Sequence, residues 1–184
     1  GTIPSCSRNV LILISMDLQY SLDRIILDQK VLTNLDRFVL DFTRILETQT
    51  PYVIVSGYVA ILFGRSRGTE DVDILIPPLE PPAFRTLHAV LVEGDFEFLN
   101  AEDADGLHDM LTKGMGIRAA RKDRFIPNIE LKFFKDDMDR EVFKKRVRAE
   151  YPGGACFISP PDIQIAYKLF LGSDKDIDDA LFLW

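Results

Sequence analysis

The stretch from Pro51 to Pro78 leaves this chain few ways to fold. Tyr52–Val55 is a β-branched run that ends at Ser56–Gly57, and reads as a short strand entering a tight turn. Tyr58–Phe63 is apolar, fits a short helix and stops at Gly64. Arg65–Glu70 is polar and reads as a loop, and Asp71–Ile76 reads as a second strand stopped by Pro77 and Pro78. Side chains alternate across a strand. Val72, Ile74 and Ile76 therefore point into a core, while Asp71 and Asp73 share the other face with Cα atoms about 6–7 Å apart.

The flanks extend this into an α/β (α+β) domain. Leu35, Phe38, Val39, Phe42, Ile45 and Leu46 recur at helical spacing and predict an amphipathic helix over Leu32–Leu46. Helices are expected at Pro82–Leu91 and Ala101–Lys113, strands at Ile117–Ala120 and Ile129–Phe134 around a basic loop, and a charged helix at Asp137–Arg148. Ser159-Pro160-Pro161-Asp162 reads as a capped helix start. Ile163, Ala166, Tyr167, Phe170 and Leu171 would be its buried stripe and Gly172 its end. Ser173-Asp174-Lys175-Asp176 repeats the cap for a last helix. The expected organisation is an N-terminal extension over residues 1–15 ahead of a plausible start at Met16, a main domain over 16–158, and a helical C-terminal lobe over 159–184.

Composition narrows the chemistry. The chain has 184 residues, nearly half of them hydrophobic, which suffices for a core without disulfides or structural metal. A formal net charge of −7 weighs against a dedicated nucleic-acid binder. It leaves room for a local basic patch at Arg118, Arg121, Lys122 and Arg124, or at Lys144, Lys145, Arg146 and Arg148; both also read as solvated faces. Cys6 and Cys156 form no disulfide framework and have no zinc-ligand spacing, so a cytoplasmic setting is expected. His88 and His108 neighbour neither a cysteine nor each other, so any metal site would be oxygen-rich and suited to Mg²⁺ or Mn²⁺. The apolar run Val10–Ile14 is too short to span a bilayer, and no membrane association is expected.

The acid pair stands out by context. Asp103/Asp105, Asp137/Asp139 and Asp174/Asp176 have the same spacing but lie in helices or loops, where i and i+2 do not share a face. Asp71 and Asp73 instead interrupt an apolar strand. Two anions this close are relieved by a bridging divalent cation, and a pair of such cations clamps in-line phosphoryl transfer. The small residues of the preceding turn would let backbone N–H groups approach a phosphate.

From Ser56-Gly57 to Asp71-Val72-Asp73 the sequence resembles the nucleotidyltransferase superfamily, whose signature is a Gly-Gly or Gly-Ser turn, a short helix, a loop and an Asp-hydrophobic-Asp strand. It is most similar to the small prokaryotic branch that includes uncharacterised archaeal proteins and the AbiEii-like toxins. Gly57, Gly64, Arg67, Thr69, Asp71 and Asp73 match positions that recur there. Ser56 departs from the pattern at the first glycine, a strained position for serine if the backbone needs a positive φ. The resemblance implies a short mixed sheet flanked by helices. It also implies a third carboxylate on a neighbouring strand, for which Glu130 is the candidate as metal ligand and base; the same residue also reads as a strand glutamate paired with Lys132. Lys168 and Asp176 fit a lysine and aspartate of the C-terminal helices, Lys168 as a phosphate contact and Asp176 more simply as a cap.

The implied activity is transfer of a nucleoside monophosphate from a nucleoside triphosphate to a hydroxyl acceptor. Asp71, Asp73 and Glu130 would hold Mg²⁺ or Mn²⁺, and Ser56, Gly57, Arg67, Thr69 and Lys168 the nucleotide. The acceptor, whether RNA, protein or a small molecule, is open. Two rivals stay open beside it: a nucleotide-binding module with little turnover, serving a partner protein as in a toxin–antitoxin pair, and a structural role with the acids solvated.

Overall fold

Thr33 opens the first helix with a reciprocal cap. Its hydroxyl accepts from the Asp36 N–H, and the Asp36 carboxylate accepts from the Thr33 N–H. The computed structural model describes residues 18–21, 23–66 and 68–184. Cys6, Val10–Ile14, Met16 and Arg67 lie outside the described residues. The capped helix is α1 (Asn34–Glu47). It presents Phe38, Val39, Phe42 and Leu46 to the core, as its periodicity predicts.

The described strands form one nine-stranded mixed sheet. They are β1 (Leu18–Ser21), β2 (Arg24–Leu27), β3 (Val53–Val55), β4 (Asp71–Ile76), β5 (Phe96–Phe98), β6 (Ile117–Arg121), β7 (Asn128–Phe133), β8 (Val147–Tyr151) and β9 (Gly154–Ile158), in the spatial order β1-β2-β8-β9-β3-β4-β7-β6-β5. The acid-bearing β4 is interior, antiparallel to β3 and parallel to β7. Around the sheet run α2 (Gly57–Leu62), α3 (Pro81–Glu93), α4 (Ala104–Thr112), α5 (Asp137–Lys144), α6 (Pro161–Leu171) and α7 (Asp174–Leu183). Val72, Ile74 and Ile76 of β4 and Ile129 and Leu131 of β7 join α1 and α3 side chains in one apolar core. The expected α/β class stands.

Three expectations change. The charged helix over Asp137–Arg148 stops at Lys144, and the chain re-enters as β8. Val147, Ala149 and Tyr151 alternate inward there, and Tyr151 pairs with Gly154 across a turn at Pro152–Gly153 where Gly153 takes φ 97°. Ser159 does not cap α6. Pro160 holds the cap position, and the Ser159 hydroxyl donates to Gln164 Oε1 at 2.7 Å. The buried stripe of α6 is reversed: Gln164 and Lys168 are buried, while Tyr167 is 40%, Phe170 82% and Leu171 49% exposed. Periodicity locates the two faces of a helix, but it assumes that the apolar one turns inward. Here hydrogen bonds and ion pairs hold the polar face instead. Gly172 in the left-handed conformation ends α6, and Ser173 caps α7 on the Asp176 N–H, as expected. Among the described residues no helix is long and apolar enough to cross a membrane.

Candidate functional site: a carboxylate row beside a strained turn

Register builds the site. Val55, the last residue of β3, pairs with Asp73, and Asp73 pairs across the parallel ladder with Glu130 of β7. The turn at Ser56–Gly57, the acid pair and the third acid are thereby set side by side on three adjacent strands, about 4.8 Å apart each. Asp71 pairs in the same ladder with Asn128, whose amide donates to Asp71 Oδ1 at 2.9 Å. Asp71, Asp73 and Glu130 are all half-buried.

Lys132 sits among them. Its ammonium lies 3.2 Å from Asp73 Oδ1 and 2.9 Å from Glu130 Oε2, so one cation bridges the two carboxylates. Burial, with Glu130 as hydrogen-bond partner and like charge, pushes the Asp73 carboxyl above the ordinary range despite Lys132. Burial also works to raise Glu130, but hydrogen bonds with Lys132 and Asp73 and the charges of Lys132 and Arg118 outweigh it and hold Glu130 below the ordinary range. Glu130 is thus the readily ionised member of the pair and Asp73 the reluctant one. Gly116 leaves room for this arrangement: a Cβ there would stand 2.7 Å from Glu130 Oε1 and 3.0 Å from Lys132 Cε.

In the other same-spacing pairs every aspartate but the exposed Asp174 is absorbed by ordinary contacts. Asp103 caps α4, Asp105 holds Arg85, Asp137 pairs with Arg140, Asp139 accepts from the Lys135 N–H, and Asp176 takes the Ser173 cap. The histidines pack: His88 stacks on Phe98, and His108 sits against Phe84 and Phe133 while bonding the Leu79 carbonyl. Among the described residues no three His, Cys, Asp or Glu side chains converge as an ion-holding group. The Asp71–Asp73–Glu130 row is nevertheless a hard oxygen donor set, the type that suits Mg²⁺ or Mn²⁺, and Lys132 is the group a divalent cation would displace.

At the turn, Ser56 takes φ 68° and ψ −142° ahead of α2 and makes no side-chain cap. A side chain in this glycine-favoured region costs about 1–3 kcal/mol and persists only where the surroundings enforce it. Gln164 does so. Its Oε1 accepts from the Ser56 N–H at 3.3 Å, and its Nε2 donates to the Ser56 carbonyl at 3.1 Å. Thr69 is half-buried, with its hydroxyl donating to the Asp71 carbonyl at 2.8 Å. Lys168, expected as a phosphate contact, is buried. Its ammonium lies 2.6 Å from Asp179 and 3.3 Å from Asp176. Gln164 and Asn128 went unassigned in the sequence, and Lys132 was expected only as a partner of Glu130, a pairing that is present. Lys132 and Asn128 share Glu130's parity on β7, which signals them; nothing local signals Gln164, whose partner is 108 residues away.

The basic clusters are partly spent. Arg121 pairs with Asp41 and stacks on Phe96, Lys145 holds Glu141, Arg148 holds Glu150, and Arg146 stacks on Phe143. Arg118 and Arg124 are exposed. A cavity of about 570 Å³ opens beside the start of β4, lined by Thr69, Glu70, Arg37, Arg121, Arg124 and Pro127 among others.

Comparison with solved structures decides the fold. An antigenic nucleotidyltransferase-like protein from Paracoccidioides brasiliensis matches with a TM-score of 0.54 and 20% identity, covering 80% of this chain and 73% of its own. The fold is nucleotidyltransferase-like. No protein-family model matches the chain, and no curated protein does. The likeness is therefore one of architecture alone.

Proposed function

We propose that this chain is a metal-dependent nucleotidyltransferase that moves a nucleoside monophosphate from a nucleoside triphosphate to a hydroxyl acceptor. The observation that carries the reading is the unbroken register from Val55 through Asp73 to Glu130, which brings the Ser56–Gly57 turn beside three carboxylates. Asp71, Asp73 and Glu130 would hold Mg²⁺ or Mn²⁺, which when bound neutralises phosphate charge. Gly57 and Ser56 offer backbone N–H groups at the turn, and Thr69 steadies the entry to β4. Arg67 and Lys168 belong to the nucleotide set on sequence likeness alone, and Lys168 would have to share its ammonium with Asp179. Glu130, ionised at neutral pH, takes the proton of the acceptor hydroxyl. That oxygen bonds to the α-phosphorus, the bond to the bridging oxygen breaks, and pyrophosphate leaves with the electron pair.

A second reading, a nucleotide-binding module with little turnover that serves a partner protein as in a toxin–antitoxin pair, is favoured by Ser56 in a glycine's conformation and by the ammonium between the acids. Calorimetric titration of each nucleoside triphosphate with Mg²⁺ tests both. Micromolar to submillimolar binding (Kd) that is lost in Asp71→Asn and Asp73→Asn supports the site. Pyrophosphate release with an acceptor then separates the enzyme from the module. No triphosphate binding with or without metal defeats both readings.

A further inference from the structure

Helix α2, which follows the Ser56 turn, is gripped at both ends by the C-terminal helices. At its start the Gln164 side chain makes two hydrogen bonds to the Ser56 peptide, one to each side, as a paired strand would. Gln164 is itself fixed: it is 3% exposed, its Oε1 also accepts from Ser159 Oγ at 2.7 Å, and the Ser159 N–H donates to the Ile54 carbonyl of β3 at 2.8 Å. Beyond the end of α2, the Arg65 N–H donates to the Ala60 carbonyl at 3.0 Å, and the Arg65 guanidinium pairs with Asp179 of α7, which also holds Lys168 of α6.

We infer that Gln164 is a positioning residue for the nucleotide site, whose amide holds the Ser56 backbone in its positive-φ conformation and so keeps the turn beside the acids in its observed shape. The inference rests on the nucleotidyltransferase reading. It explains how serine occupies a position where the resembled family carries glycine: the conformation that glycine adopts freely is here imposed from α6. It also gives the reversed burial of α6 a purpose, because the face that must reach Ser56 and Asp179 is the polar one. A glutamine with only a packing role would support the fold without discriminating between Ser56 and glycine.

The test compares Gln164→Ala, Gln164→Glu, Ser56→Gly and the Ser56→Gly/Gln164→Ala pair in the full chain. MgATP affinity is read by calorimetry and stability by urea unfolding. Gln164→Ala is expected to weaken MgATP binding by about tenfold or more. Gln164→Glu, which sets a carboxylate oxygen against the Ser56 carbonyl in place of a donor, should bind MgATP no better than Gln164→Ala, and parent-like binding by it overturns the inference if the alanine variant does not fold. Adding Ser56→Gly should restore the affinity, because glycine holds the turn unaided. Unchanged binding in Gln164→Ala, or no recovery with Ser56→Gly, overturns the inference. If the parent chain binds no triphosphate, the nucleotidyltransferase reading fails separately and the stability cycle judges the clamp: additive shifts in the urea midpoint overturn it, and non-additive ones keep it as the device that sets the turn.

Discussion

At the scale of single residues, Asp73, Glu130 and Lys132 set stability against function. A carboxyl whose folded pKa is raised stabilises the folded chain only while it stays protonated. The penalty therefore grows as pH rises above the ordinary carboxylate range and is fully present at neutral pH. Asp73→Asn should consequently raise Tm in metal-free buffer at pH 7. A gain of about 1 kcal/mol corresponds to about 2–4 °C in a chain of this size. The gain should shrink on acidification, and the variant should lose nucleotide binding. Scanning calorimetry at two pH values checks it; a Tm that falls at pH 7 would show that Asp73 is stabilised as an anion by Lys132. The converse substitution, Lys132→Met, removes the cation that lies between Asp73 and Glu130. It should lower Tm in chelator and recover part of the loss on adding Mg²⁺, more than the parent gains. Equal Mg²⁺ shifts in both proteins would mean that the ammonium and the ion do not compete.

At the scale of elements, α6 reverses the usual expectation for an amphipathic helix. Its exposed Phe170 should tolerate Phe170→Ala within about 0.5 kcal/mol, as surface substitutions do. Lys168→Ala leaves Asp179 buried with one fewer cation and should cost about 3 kcal/mol. Urea unfolding of the two variants checks the order; the reverse order would mean that the apolar face packs inward in solution. Element existence was largely legible in the sequence. α1 was announced by its apolar stripe, β4 by the alternation of Val72, Ile74 and Ile76, and α7 by Ser173 and its capping box. β8 was hidden because the charges of Lys144–Arg148 continue the pattern of α5, although Val147, Ala149 and Tyr151 alternate with a strand's period. β5 is a three-residue strand held by pairing with β6, below the length at which any period can be read.

At the scale of the whole molecule, acidity and stability meet at a buried network joining the turn after β2 to α1 and α2. Asp36 is fully buried, accepts from Thr33 and from the Tyr58 hydroxyl at 2.7 Å, and faces Lys30 at 3.1 Å. Burial works to raise its pKa, but the bonds from Thr33 and Tyr58 and the Lys30 charge prevail and lower it. Its contribution is therefore complete above the ordinary carboxylate range, at about pH 4 and higher, and fades as pH falls through the lowered folded value. Asp36→Asn should be less stable at pH 7 and should lose less on acidification than the parent. Parallel pH–Tm curves for the two proteins would assign acid sensitivity to other groups.

The sequence by itself determined the strand–turn–helix–strand core and the acid pair that marks it, because each follows from neighbours a few residues apart. Glu130 was legible only as a parity on a strand; its pairing opposite Asp73 is a property of the parallel ladder between β4 and β7. The tertiary structure alone decided that Lys132 bridges two carboxylates, that α6 turns its polar face inward, and that Gln164 holds Ser56. Those outcomes depend on hydrogen bonds and ion pairs between distant segments, whose energies compete with apolar burial only once the sheet has brought the partners together.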